Sequence, residues 1–596
     1  MSAPKPLGEG RPDAPADPRP ADPPPADRAG VGPAPRPAPG LDTGPASEHA
    51  ARAHTPASGP PASGAPASGT GGGSAGLPAG ATALTPRSGP RPPWWSPARV
   101  PARLRFPLGV YALCQLLLFG WWAAFYPGRV TGDSLTYLYE VSTSHWRADH
   151  SVAYDALLWI SLQVTGGVAA LTFVQTVAMA AALAYVCASL RDLGVHGRWS
   201  AVAAAVVAAA PMTGSFTVYV WKDVAYTVAT LVAFGAVVRL TARRLRREHA
   251  VRDRSLRRQL LTLAAGCLGI GLFRNNGFPV IIAAGVLLVL LLPGMRRRIA
   301  VATAVPLVLT LGMNNLLYPA LGVQMPRADE VYAFNYADIG VVYAERPDVF
   351  SAADLRLLRG IAPLSHWRGP GGDCHVADPL MHEPLDRFKA GRENGQLLAL
   401  WGRLLTHHPT LVIGARLCRA DIAWAFTGHT GMYPASNRDV LRSWSAYGLD
   451  SVQQLPYHAS LRDAPLSYKL DHAATRAFEW TKAPDRAPLL WRGVNWTYLG
   501  YLLVAVAAVR RRRYELLALA ALPVALQATV LAANPSPLWR YMCAALFVGV
   551  LTVPVVALAG PGRAPWERAG VAPPDAVAGP SAEGGRDTAP ATGHRT

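Results

Sequence analysis

The chain has 596 residues, 51% of them hydrophobic, a mean hydropathy of +0.16 and a formal net charge of +19. Its apolar residues gather into runs of roughly 14 to 25, the length of a bilayer-crossing helix, which excludes an ordinary water-soluble globule. The positive excess sits largely in short loops beside those runs, where it sets orientation, so nucleic acid is not an expected partner, and six scattered cysteines make neither a zinc module nor a disulfide framework.

Residues 1–100 are dominated by Pro, Ala, Gly and Ser. Such a composition cannot bury enough apolar surface to offset the entropy of ordering, so a disordered tail is expected there and again over 561–596. No apolar stretch near Met1 suggests a cleavable signal peptide.

The first expected span is 106–126, with Arg99, Arg103 and Arg105 before it and Pro127-Gly128 after it. Further spans are expected at 168–190, 199–218, 224–240, 260–273, 278–293, 299–317, 496–509, 516–533 and 541–558. Eight arginines crowd 241–258, three occupy 296–298 and four occupy 510–513, whereas the alternate short loops carry single cations, Lys222, Arg274 and Arg540. Ten spans with both termini cytoplasmic satisfy the positive-inside rule at every short loop. The fold class is therefore an all-α integral membrane protein of the plasma membrane. It divides into an N-terminal membrane module over 106–318, an extracytoplasmic inserted domain over 319–494 and C-terminal spans over 495–560.

Two non-spanning stretches are expected outside. In 152–164, Ala153, Ala156, Leu157, Ile160 and Val164 recur at helical spacing, which predicts a helix lying at the membrane surface. Within the inserted domain, 396–415 reads as an amphipathic helix kinked or split at Pro409. Cys374 and Cys418 are that domain's only cysteines and are expected to form a disulfide.

Four outer loops carry the chemistry. Asp133 is held near the surface and suits either a general base or the N-cap of a helix from Ser134 onward. Asp149-His150 can position a phosphate or a divalent cation, or Asp149 or Ser151 can cap the surface helix. Lys222-Asp223 offers a point charge for phosphate, or an ion pair beside an interfacial Trp221. Arg274-Asn275-Asn276-Gly277 makes a dense donor cluster at a tight turn, which favours ligand binding. Arg540-Tyr541 offers a guanidinium fork, or a snorkelling Arg in an aromatic belt.

Taken in order, these motifs resemble the GT-C superfamily of polytopic glycosyltransferases, which includes protein O-mannosyltransferases and aminoarabinose transferases. The likeness spans about 106–558 and is closest to an actinobacterial and firmicute branch. It implies a polyprenyl-phosphate sugar as donor and a glycan, lipid or protein of the cell envelope as acceptor. It further implies Asp133 as catalytic base, with Lys222, Arg274 and Arg540 on the donor phosphate. Asp223, Asn275, Asn276, Tyr541 and His150 join them as substrate-binding candidates. Relatives often carry His-Pro-Pro where this chain has His150-Ser151-Val152-Ala153. Alternatives of another class are a lipid or polymer transporter, disfavoured by span interiors nearly free of ionisable residues, and a non-catalytic membrane scaffold.

Overall fold

The computed structural model describes residues 101–246, 254–433, 436–443 and 454–560. The two expected polar tails, and Arg247 and Arg252 of the arginine-rich loop, lie outside them. Among the described residues the secondary structure is helical, with isolated β-bridges but no strands.

Ten helices build the N-terminal half: α1 (Ala102–Ala124), α2 (Gly132–Ser142), α3 (Val152–Thr165), α4 (Ala169–Leu193), α5 (Gly197–Ala209), α6 (Pro211–Phe216), α7 (Lys222–Leu245), α8 (Arg254–Phe273), α9 (Gly277–Leu291) and α10 (Arg296–Gly312). Among the described residues, seven helices are long and apolar enough to cross a membrane: α1, α4, α7, α8, Arg296–Ala320, Tyr514–Ala532 and Trp539–Ala559. These are seven of the ten expected spans. The other three are also helical but differ in length or polarity. The expected 199–218 span is broken into α5 and α6 at Pro211, which sits at the first position of α6, where its missing N–H costs nothing. The α9 helix has 15 residues, and Gly493–Arg511 ends in arginines. The chain is thus a multi-pass membrane protein in its helical content.

The α7 helix is the centre of the bundle, buried along most of its length and packed on α4 and α8. Helices further out leave Leu116, Val174, Val286, Leu290 and Val308 exposed. An apolar belt of this kind is stable only against lipid.

The α3 helix covers the predicted surface segment. Its Tyr154, Asp155, Leu158 and Leu162 face the bundle, while Leu157, Ile160 and Val164 face outward. The inserted region has two parts. Tyr336 to Val412 form a separate apolar core, whereas Ile422, Leu461, Phe478 and Trp491 join the core of the bundle. The predicted helix over 396–415 is split as expected, into Asn394–His407 and Pro409–Arg419. Cys374 and Cys418 are joined in a disulfide.

Candidate functional site

Three loops separated widely in sequence are pinned side by side. After α1 the chain turns at Gly128, whose φ of +151° and whose approach to Thr172 and the Val218 carbonyl leave no room for a side chain. Arg129 N–H donates to Val218 O and Val220 N–H donates to Arg129 O, both at 2.8 Å. Asn437 clamps the same turn, donating to Gly128 O at 2.8 Å and accepting from Val130 N–H at 3.0 Å. The loop before α7 is thereby fixed to the loop before α2.

The start of α2 corrects one expectation. Its N-cap is Thr131, two residues before Asp133, and Thr131 N–H donates to Ser134 Oγ at 3.0 Å. Trp221 Nε1 donates to Thr131 Oγ1 at 2.6 Å, and Ser134 Oγ donates to Val220 O at 2.9 Å. With Thr131 and Ser134 closing the helix end, the Asp133 carboxylate is not needed as a cap.

Asp133 instead forms an ion pair with Arg540, which opens the Trp539–Ala559 span. Arg540 also lies 3.7 Å from Asp223, and Asp223 lies 3.5 Å from Arg274. Four residues from four loops thus form one chain of alternating charge. Both guanidiniums stack on Tyr541, with Arg274 at 4.7 Å and Arg540 at 5.2 Å from the ring centroid, which holds them as a pair. Among the described residues Lys222 forms no ion pair with Asp223; its ammonium lies 5.9 Å from the Tyr137 ring centroid. Three cations against two carboxylates leave this cluster with one net positive charge, suited to an anion. Burial opposes the charge on Asp133, but Arg540, His150 and Lys222 outweigh it and hold the carboxyl below the usual carboxylate range.

The Arg274–Gly277 turn supplies one end of the same ion chain. Gly277 N–H donates to Arg274 O at 2.8 Å, and a Cβ on Gly277 would lie 2.1 Å from Ile270 O, so only glycine closes this turn. Asn275 Nδ2 donates to Ala148 O at 2.7 Å and Asp149 O at 3.0 Å, tying the turn to the segment before α3. Asn276 occupies the N-cap position of α9 without a capping side-chain bond.

Ser151, not Asp149, caps α3, accepting from Tyr154 N–H at 3.1 Å. This leaves Asp149 and His150 for another task. His150 Nδ1 lies 3.5 Å from both Asp149 and Glu140. Burial and the Lys222 charge oppose its protonation, but these two carboxylates outweigh them and push its pKa up to about 9. Glu140, Asp149 and His150 offer ligand atoms within 4.8 Å of one another, a spacing that suits a divalent cation when the imidazole is neutral. With His150 protonated they form an ion triad.

Several contributors are not singled out by the sequence motifs. Glu140 lies two turns into α2, and Asp155 in the first turn of α3 reads as a helix-end charge; both are fully buried, and no hydrogen-bond partner of the Asp155 carboxylate lies among the described residues. Tyr433 belongs to the inserted region, with its ring 4.6 Å from that of Trp221.

The chain is similar to a protein family of unknown function (DUF6020) over residues 143–366. That stretch includes His150, Lys222, Asp223 and the Arg274–Gly277 turn, and leaves out Asp133 and Arg540. No curated protein and no solved structure matches the chain.

Proposed function

We propose that the chain is a membrane glycosyltransferase of the GT-C kind, acting at the extracytoplasmic face with both termini in the cytoplasm. The observation that carries this reading is the Asp133–Arg540–Asp223–Arg274 ion chain with Lys222 beside it. A phosphate-linked donor needs several cations at its leaving group and a carboxylate at its acceptor, and this cluster offers both. Its position at the ends of membrane helices suits a donor whose polyprenyl tail stays in the bilayer.

In the proposed reaction the acceptor hydroxyl oxygen attacks the sugar anomeric carbon. Asp133 takes the hydroxyl proton. The bond from the anomeric carbon to the phosphate oxygen breaks, and its electron pair leaves with the polyprenyl phosphate. Arg274, Arg540 and Lys222 hold the charge that grows on that oxygen. Without donor, Arg540 neutralises Asp133, and a paired carboxylate is a weak base. A donor phosphate competes for Arg540 and thereby raises the basicity of Asp133 where the acceptor arrives.

The test is turnover. Full-length protein reconstituted in liposomes is given a panel of polyprenyl-phosphate sugars with a membrane extract as acceptor source. The expected result is release of polyprenyl phosphate from at least one donor, lost in Asp133→Asn. No binding and no release across the panel would overturn the reading.

A further inference from the structure

At the arginine-rich end of the bundle, α8 and α10 leave a groove of about 690 Å³ between them. Its mouth lies at the opposite end of α8 from Arg274, about 30 Å away by the rise of a 20-residue helix. Each wall repeats one pattern. Along α8, Arg254 and Arg257 are followed by Leu261 and Ala264; along α10, Arg297 and Arg298 are followed by Val301 and Val305. Arg254, Arg257, Leu261 and Ala264, and likewise Arg297 or the adjacent Arg298 with Val301 and Val305, recur at spacings of three and four, which keep each series on one helix face. Both walls are therefore basic at the mouth and apolar further in. Leu261, Val301 and Val305 are half exposed or more, with no protein covering them among the described residues. Both helices also begin at this end, so their positive dipole ends point to the mouth. Among the described residues, no carboxylate forms an ion pair with Arg254, Arg257 or Arg297.

A basic mouth over an apolar trough matches an amphiphile with an anionic head. We infer that this groove binds an anionic phospholipid of the adjoining leaflet, its phosphate on the arginines and an acyl chain along Leu261, Val301 and Val305. Phosphate takes the planar guanidinium fork, and basic pockets between membrane helices hold such headgroups. The leaflet is the cytoplasmic one if the topology proposed above holds. The site itself does not depend on that topology or on sugar transfer.

The experiment is native mass spectrometry of the detergent-solubilised full chain titrated with phosphatidylglycerol or phosphatidylcholine. Wild type is expected to retain phosphatidylglycerol at least about tenfold better. Arg257→Gln with Arg297→Gln should lower that retention about tenfold or more, since each juxtamembrane basic residue helps to hold an anionic headgroup. Ala264→Trp with Val301→Trp fills the groove and keeps every arginine, so it should lose the lipid as well. Arg510→Gln with Arg512→Gln removes two arginines at the end of another helix, Gly493–Arg511, and should leave retention unchanged. Equal loss in that control would reduce the effect to general surface charge and overturn the site. Full retention by the groove-filled variant, or no preference for phosphatidylglycerol, would overturn it too.

Discussion

Asp133 and Arg540 stand 407 residues apart in sequence and form an ion pair at the end of the bundle away from the arginine-rich loops. Arg540 has a second carboxylate, Asp223, at 3.7 Å, so it is shared rather than dedicated. Sharing matters for function. A guanidinium held between two carboxylates can turn to a phosphate without leaving Asp223 unpaired, because Arg274 also serves it, and the acid it releases is Asp133.

Asp133→Asn should abolish transfer while keeping donor affinity. The amide keeps the shape of the carboxylate and cannot take a proton as it does. Removing the negative competitor frees Arg540 for phosphate, so donor affinity is expected to equal or modestly exceed that of wild type. The rate constant should fall on the order of a hundredfold or more, the usual contribution of a general base. Steady-state kinetics that separate kcat from KM check this. Because Thr131 caps α2, helix stability should not change, and wild-type turnover by Asp133→Asn would remove the base assignment.

Arg540→Ala is expected to behave in the opposite sense. It removes a phosphate contact and leaves Asp133 without its closest cation, so an anionic donor meets an uncompensated carboxylate. A charged hydrogen bond contributes about 1.5–3 kcal/mol, so donor affinity should drop on the order of tenfold to a hundredfold. Equilibrium binding of a fluorescent polyprenyl phosphate measures it. Unchanged affinity would place Arg540 among purely structural residues.

The sequence made seven of the ten expected spans legible among the described residues, because apolar length is a local signal. It also brought Asp133, Lys222, Arg274 and Arg540 to attention, since a lone charge in a short loop beside a span is conspicuous. Their pairing was not legible. Lys222 and Asp223 are neighbours in sequence, yet Asp223 turns to Arg274 and Arg540, because residues in the first turn of a helix point to different sides. The α3 helix shows a similar limit. Its apolar stripe of Leu157, Ile160 and Val164 is plain, but that stripe faces outward, and the buried face carries Asp155. In a bilayer apolar periodicity marks the lipid side as readily as the core. The expected cap at Asp133 failed for a related reason: Thr131, Asp133 and Ser134 all suit a helix start, and contacts from Trp221 and Val220 decide among them.

Sidedness is open to a direct measurement that the cysteine pattern simplifies. Cys114, Cys187, Cys267 and Cys543 are buried, and Cys374 and Cys418 are joined, so the native background towards thiol reagents should be low. Asp348→Cys lies on an exposed part of the inserted region and Arg510→Cys in the arginine-rich last turn of Gly493–Arg511. An impermeant maleimide applied to intact cells should label the first and not the second. Labelling of Arg510→Cys would reverse the topology and place the ion chain in the cytoplasm.

The His150 triad predicts a pH dependence with a definite sign. The imidazole faces Glu140 and Asp149 at 3.5 Å, with Tyr137 edge-on at 5.2 Å and the Lys222 charge nearby. Its pKa rises from an ordinary 6.5 to about 9, so protonated His150 stabilises the folded state. A raised histidine pKa contributes fully below the unfolded value and is lost as pH climbs through the folded one. The gap between those two values corresponds to at most about 3 kcal/mol. His150→Gln should therefore lower the thermal unfolding temperature at about pH 6 and approach wild type by about pH 10, above both pKa values. The wild-type curve itself should decline between those limits. Divalent cation acts in the opposite direction, since it needs the neutral imidazole and would stabilise the protein more as pH rises. Scanning wild type with a chelator and again with magnesium or manganese tells the two apart. A difference between wild type and His150→Gln that stays flat with pH would rule out the charged triad.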